Sequence, residues 1–125
     1  MVRVLTLAVA LTLALAVAAP VAAGDDVRRR GSCSGGRGDW MLRVQRESRT
    51  KLRVRFEIDD VPTGQRWQLF ISNNGTRVYS RTNVSRRGGE VRVRIATRNR
   101  PGRDRIAASG VNTRTGTTCE GSVRY

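Results

Sequence analysis

The sequence predicts an all-β protein: a seven-stranded antiparallel sandwich behind an N-terminal signal helix. Three observations carry that expectation. Apolar and polar residues alternate with period two in several short runs, most cleanly in KLRVRFEID from Lys51 to Asp59. Asn, Asp, Gly and Pro punctuate the chain between those runs. After the leader, no stretch of useful length collects its apolar residues at helical spacing.

The leader comes first. Arg3 and the amino terminus make a short positive region, Val4 to Ala19 is uncharged and apolar, Pro20 breaks the segment, and Val21-Ala22-Ala23 supplies small residues. That is the pattern of a secretory signal over 1–23, cleaved after Ala23. The alternative is an uncleaved membrane anchor, because Val4 to Ala23 is long enough to span a bilayer and is followed by Arg28-Arg29-Arg30. Residues 24–37 are Gly-rich with one apolar residue besides Cys33, and read as a flexible lead-in to a single domain over 38–125.

Within that domain each strand has its own signal. Trp40, Leu42 and Val44 alternate with Met41, Arg43 and Gln45. Leu52, Val54, Phe56 and Ile58 face one way in the second run, with Lys51, Arg53, Arg55, Glu57 and Asp59 opposite. After the turn Asp59–Gly64, a third strand alternates Trp67, Leu69 and Ile71 with Gln68, Phe70 and Ser72. Asn73-Asn74-Gly75 predicts a hairpin and a return strand over Thr76–Arg81, with Val78 or Tyr79 inward. A loop over Asn83–Gly89 leads to Val91, Val93 and Ile95 against Arg92 and Arg94. The sixth strand passes through Ile106 and Ala108, and the seventh places Cys119, Gly121, Val123 and Tyr125 on one parity. Seven strands in this order resemble the immunoglobulin-like sandwich, including a Trp, Trp67, on the third strand. The second-to-sixth-strand disulfide and the tyrosine corner of that family are missing.

The full chain carries 24 Lys and Arg against 10 Asp and Glu, a formal net charge of +14, and Lys51 is the sole lysine. Loss of the leader would remove only Arg3. Such a balance predicts solubility and attraction to anionic polymers or lipid headgroups. Cys33 and Cys119 both lie in the exported part and predict a disulfide tying the start of the domain to its last strand. In the loop-entropy model, a bridge closing so long a loop contributes about 4–5 kcal/mol.

CSGG at Cys33, NRPGRDRI from Asn99 and NTRTGTTCEG near the end look like small secreted proteins of actinobacteria. Those proteins share a signal, a Cys-Ser-Gly-Gly start, a strand-rich domain and a Cys after an Asn…Thr-Gly hairpin. The resemblance implies export and fold, and it carries no functional site.

No His occurs in the chain and both cysteines are expected to be oxidised, which removes the common general base, the thiolate nucleophile and nearly all zinc ligand sets. The expectation is therefore a non-catalytic protein without cofactor or metal, monomeric by default. The acidic group Glu57, Asp59 and Asp60 reads as a strand end and turn, with weak calcium binding as the alternative. Arg37-Gly38-Asp39 matches an integrin-binding tripeptide but sits at a strand entry rather than a loop tip, and reads as a glycine-rich lead-in. If the first, second and fifth predicted strands share a sheet, their outward residues Arg43, Lys51, Arg53, Arg55, Arg92 and Arg94 form a basic face. That face suits an anionic cell-envelope polymer or membrane surface. No aromatic is interleaved with it, so specific nucleic-acid binding is not expected. The alternative is a secreted inhibitor or protein ligand acting through the loops Arg98–Asp104 or Arg81–Gly89.

Overall fold

A computed structural model describes residues 26–125. The signal segment expected at 1–23, its helix and its cleavage point lie outside the described residues. Among the described residues, no helix is long and apolar enough to cross a membrane. The chain forms eight strands: β1 (Asp26–Ser32), β2 (Asp39–Arg46), β3 (Lys51–Asp59), β4 (Arg66–Asn73), β5 (Thr76–Val84), β6 (Val91–Arg98), β7 (Arg105–Asn112) and β8 (Thr118–Arg124). They make two four-stranded antiparallel sheets, ordered β1-β2-β3-β6 and β5-β4-β7-β8.

The alternating residues do what their period predicts. Leu42, Val44, Leu52, Val54, Phe56 and Ile58 from one sheet meet Trp67, Leu69, Ile71, Ile106 and Ala108 from the other in a single core. Removing each large aliphatic or aromatic side chain from water contributes roughly 1.5–3 kcal/mol. Asn74 (φ 50°) and Gly75 (φ 83°) are both left-handed, as the two-residue β4–β5 turn requires. Of the two residues expected inward on the return strand, Val78 or Tyr79, it is Tyr79 that turns in. A register shift between Ile71 and Ser72 leaves Val78 unpaired with β4, so it points outward and is 41% exposed, while Tyr79 packs against the core.

Eight strands form where the sequence predicts seven, and the additional one, β1, lies in the segment read as a lead-in. It pairs with β2 along its whole length, from Asp26 opposite Gln45 to Ser32 opposite Asp39. Composition hides it, because only Val27 offers an apolar inward side chain. Its other inward positions work differently. The Arg29 guanidinium reaches across to donate to the Ser122 carbonyl on β8 at 3.2 Å. Gly31 lies over the indole of Trp40, and a Cβ there would come within 2.6 Å of the ring. Gly121 on β8 lies against the same ring and leaves no room for a Cβ either.

The β1/β8 side of the sandwich is pinned just beyond that indole. Cys33 and Cys119 form the expected disulfide, across a sequence separation of 86. Ser34 and Thr118 exchange backbone hydrogen bonds of 2.8 and 2.9 Å beside it. At the opposite end of the strands, buried polar groups close the structure. Asn73 donates from β4 to Thr97 Oγ1 (3.2 Å) and to the Arg98 carbonyl (2.9 Å) on the other sheet. The buried Asp104 carboxylate accepts from Asn74 Nδ2 (3.0 Å) and the Arg100 amide (3.2 Å).

Reduction of the disulfide is expected to lower the thermal midpoint by at least ~15 °C, taking about 4–5 kcal/mol at several degrees per kcal/mol. Far-UV circular dichroism at low temperature should stay that of a β protein, since the apolar contacts between the two sheets do not depend on the bond; an unchanged melting curve on reduction would contradict this. Gly121→Ala should cost about 1–3 kcal/mol by overpacking. The loss should shrink when Trp40→Phe is made in the same chain, as urea denaturation of the single and double variants would measure.

Candidate functional site

The outward side chains of the first sheet fall in rows that cross the strands. One row is Arg28, Arg43, Arg55 and Arg94, each directly opposite the next in the β1-β2-β3-β6 register. Neighbouring strands lie about 4.8 Å apart, so the row is about 14 Å long. The next row toward the disulfide end is Arg30, Met41, Glu57 and Arg92, and beyond it Asp39 faces Asp59. On the other side of the arginine row lie Asp26, Gln45, Arg53 and Ala96.

Like charges directly across strands repel, and the surrounding carboxylates relieve only part of that. Asp26 accepts from Arg43 in a two-pronged arrangement, Nη2 at 2.6 Å and Nε at 3.0 and 3.1 Å. This hydrogen bond, with the nearby Arg28 charge, holds the Asp26 carboxyl below its ordinary value and raises that of Arg43. Asp26 therefore steadies the fold above its ordinary pKa, and that support fades as acid protonates it. Glu57 sits between Arg55 (3.6 Å) and Arg92 (3.8 Å), Glu90 holds Arg92 at 3.0 Å, and Glu47 holds Arg53 at 3.0 Å. Among the described residues, none of Arg28, Arg30, Lys51 and Arg94 has a carboxylate at salt-bridge distance.

A groove of about 550 Å³ crosses β1, β2 and β3 beside this row. Arg28 and Arg55 line it along one side, Met41 lies in the middle row, and Asp39 and Asp59 line the other side. Asp59 feels three carboxylates, Glu57, Glu90 and Asp39, and loses some hydration. Burial first, and those charges second, push its pKa above the ordinary value.

The basic set read from strand parity is thus on one sheet, but it is not uniform. Arg43, Arg55 and Arg94 share the row, whereas Arg53 and Arg92 stand in flanking rows with their own carboxylates, and Lys51 lies at the far end opposite Arg98. Arg28, Arg30 and Asp26 complete the face and were not legible as part of it, because the lead-in was not read as a strand. The available signal was period two: Asp26, Arg28 and Arg30 alternate with Val27, Arg29 and Gly31. The second sheet presents the largely uncharged Gln68, Phe70, Ser72, Ala107 and Ser109 along β4 and β7, with Arg77 stacked 4.0 Å over the Phe70 ring.

Other sequence features are absorbed by the fold. Arg37 donates to the Asp60 carbonyl at 3.1 Å and pairs with its carboxylate at 3.6 Å, Gly38 packs near Cys33 and Val61, and Asp39 opens β2. The Arg-Gly-Asp tripeptide is therefore spread over a folded strand entry. Among the described residues, no group of three or more His, Cys, Asp or Glu is arranged to hold a metal ion. Of the two candidate loops, residues 81–84 belong to β5, and the loop before Asp104 is tied down by that buried carboxylate. No protein-family model matches this chain, and no curated protein is similar to it.

Because the folded state holds the Asp59 proton more tightly than the unfolded chain, ionising Asp59 opposes folding. The cost is absent below the ordinary value of 3.8 and complete above the raised one. Asp59→Asn is expected to raise the melting temperature at pH 7, and to leave it unchanged relative to the parent at pH 3. A gain of equal size at both pH values would mean that packing, not charge, is responsible.

Proposed function

We propose that this protein is a secreted, non-catalytic binding module whose basic face holds an anionic partner of the cell envelope, either a polymer or a lipid headgroup. The observation that carries this reading is the row Arg28, Arg43, Arg55 and Arg94. Four guanidinium groups in line cost the sheet stability, and the core gains nothing from them. Charges that guard a sheet against edge pairing are needed on edge strands, whereas Arg43 and Arg55 stand on the two central ones. Arginine forks suit carboxylate and phosphate oxygens.

Further features support the reading. The disulfide is compatible with an extracellular location. Both cysteines are consumed by it and the chain has no His, which leaves few groups for acid–base or nucleophilic chemistry. The placement of β2, β3 and β6 in one sheet and β4, β7 and β8 in the other fits an immunoglobulin-like domain, a fold that commonly serves binding. Membership of the small secreted actinobacterial proteins it resembles belongs to the same proposal.

Retention on a heparin resin tests the face. Charge reversal at Arg28 and Arg94 together is expected to lower the eluting salt concentration much more than reversal at the loop residues Arg100 and Arg114. Equal losses would assign retention to net charge alone, and no retention at moderate salt would leave the face merely solvated.

A further inference from the structure

The arginine row has banks. Asp39, Asp59 and Glu90 lie on one side, and Asp26 and Glu47 on the other. A flat anionic surface such as a membrane would press against those carboxylates together with the arginines. A single chain lying along the row would set its anions on the arginines and keep them off those carboxylates. Among the described residues, the exposed large apolar side chains, Val78 and Val84, are on β5 in the other sheet, so this face offers none of the apolar anchors that membrane-surface proteins bury among headgroups.

The row already holds one anion, and it is a carboxylate. Asp26 takes Arg43 by the fork, with Arg28 beside it. The groove next to the row offers the Arg28 and Arg55 guanidinium donors along one side and the Asp39 and Asp59 carboxylate acceptors along the other, with Arg30 and Glu57 in the row between. Donors on one bank fit carboxylates, and acceptors on the opposite bank fit hydroxyls. A chain carrying both, with an anion repeating about every 5 Å to match the strand spacing, is an acidic polysaccharide with one carboxylate per sugar ring. Poly(alditol phosphates) place a flexible spacer between successive charges and offer fewer hydroxyls to the second bank.

We propose that the first sheet binds a linear polyuronate-type polysaccharide laid across the strands along Arg28, Arg43, Arg55 and Arg94, and that Asp26 is a built-in competitor which the polymer displaces from Arg43. This rests on the reading of the basic face given above and narrows its partner. It also makes removal of one particular acid a gain of function.

The test uses the full chain with its disulfide formed, and measures binding to immobilised polygalacturonate, to poly(glycerol phosphate) and to phosphatidylglycerol vesicles at the same ionic strength. Polygalacturonate is expected to bind tightest. Tetragalacturonate should compete at least about tenfold better than the monomer, because it can engage the whole row. Asp26→Asn should strengthen polygalacturonate binding severalfold. Glu120→Gln, which raises net charge equally from the opposite sheet, should leave it nearly unchanged. Equal gains from the two variants, or vesicles or the phosphate polymer bound as tightly as polygalacturonate, would overturn the polysaccharide assignment while leaving an anion-binding face. Failure of all three probes to bind would overturn both.

Discussion

The indole of Trp40 requires a residue without a side chain on each side of it, and Gly31 and Gly121 supply them from β1 and β8. This steric demand sets the register of β1. Shifted by one residue, β1 would drive Arg30 or Ser32 into the ring and turn its outward arginines toward the core. With Gly31 seated, Arg28 and Arg30 point outward and Val27 meets the core. The Cys33–Cys119 bond and the Ser34–Thr118 bridge then hold the adjoining chain against β8. The outer face of the sheet thus inherits its pattern from a packing event inside the sandwich.

The same arrangement explains why a row of like charges can persist. The inward faces of β2 and β3 are filled by Leu42, Val44, Leu52, Val54, Phe56 and Ile58, all essentially inaccessible to solvent. Their burial is worth many times the repulsion among exposed guanidinium groups, which water and salt screen. Sheet pairing is therefore decided by the core, and the outward positions are left free to carry a pattern that stability alone would disfavour. The acids are not scattered at random in that pattern. They pair with Arg43, Arg53, Arg55 and Arg92 and leave Arg28 and Arg94 open at the two ends of the row.

The two ends of the sandwich are closed by different chemistry. Near β1 and β8 it is covalent and apolar, through the disulfide and Trp40. Near the β4–β5 turn it is polar, through Asn73, Asn74 and the buried Asp104. The hydrogen-bonded Asp104 carboxylate and Asn73 amide nitrogen specify one arrangement strongly, because any alternative leaves a desolvated carboxylate or amide N–H without partners. The loop leading to Asp104 is consequently part of the framework. The outward face of the first sheet, by contrast, leaves Arg28 and Arg94 exposed and without a carboxylate at salt-bridge distance among the described residues.

By itself the sequence determined the class of fold, the seven strands from β2 to β8 and the disulfide. Period-two alternation is a local property: Leu52, Val54, Phe56 and Ile58 lie on one side of any extended chain, whatever it packs against. Asn74-Gly75 likewise sets its turn through its own backbone preferences. What only the tertiary structure decided is which outward residues stand side by side. Arg28, Arg43, Arg55 and Arg94 lie on four strands separated by turns and by the whole second-sheet excursion of β4 and β5, so their alignment depends on strand register. β1 escaped the sequence reading for the same reason. Its inward glycine has meaning only against Trp40, and a residue whose role is to make room leaves no hydrophobic signal along the chain.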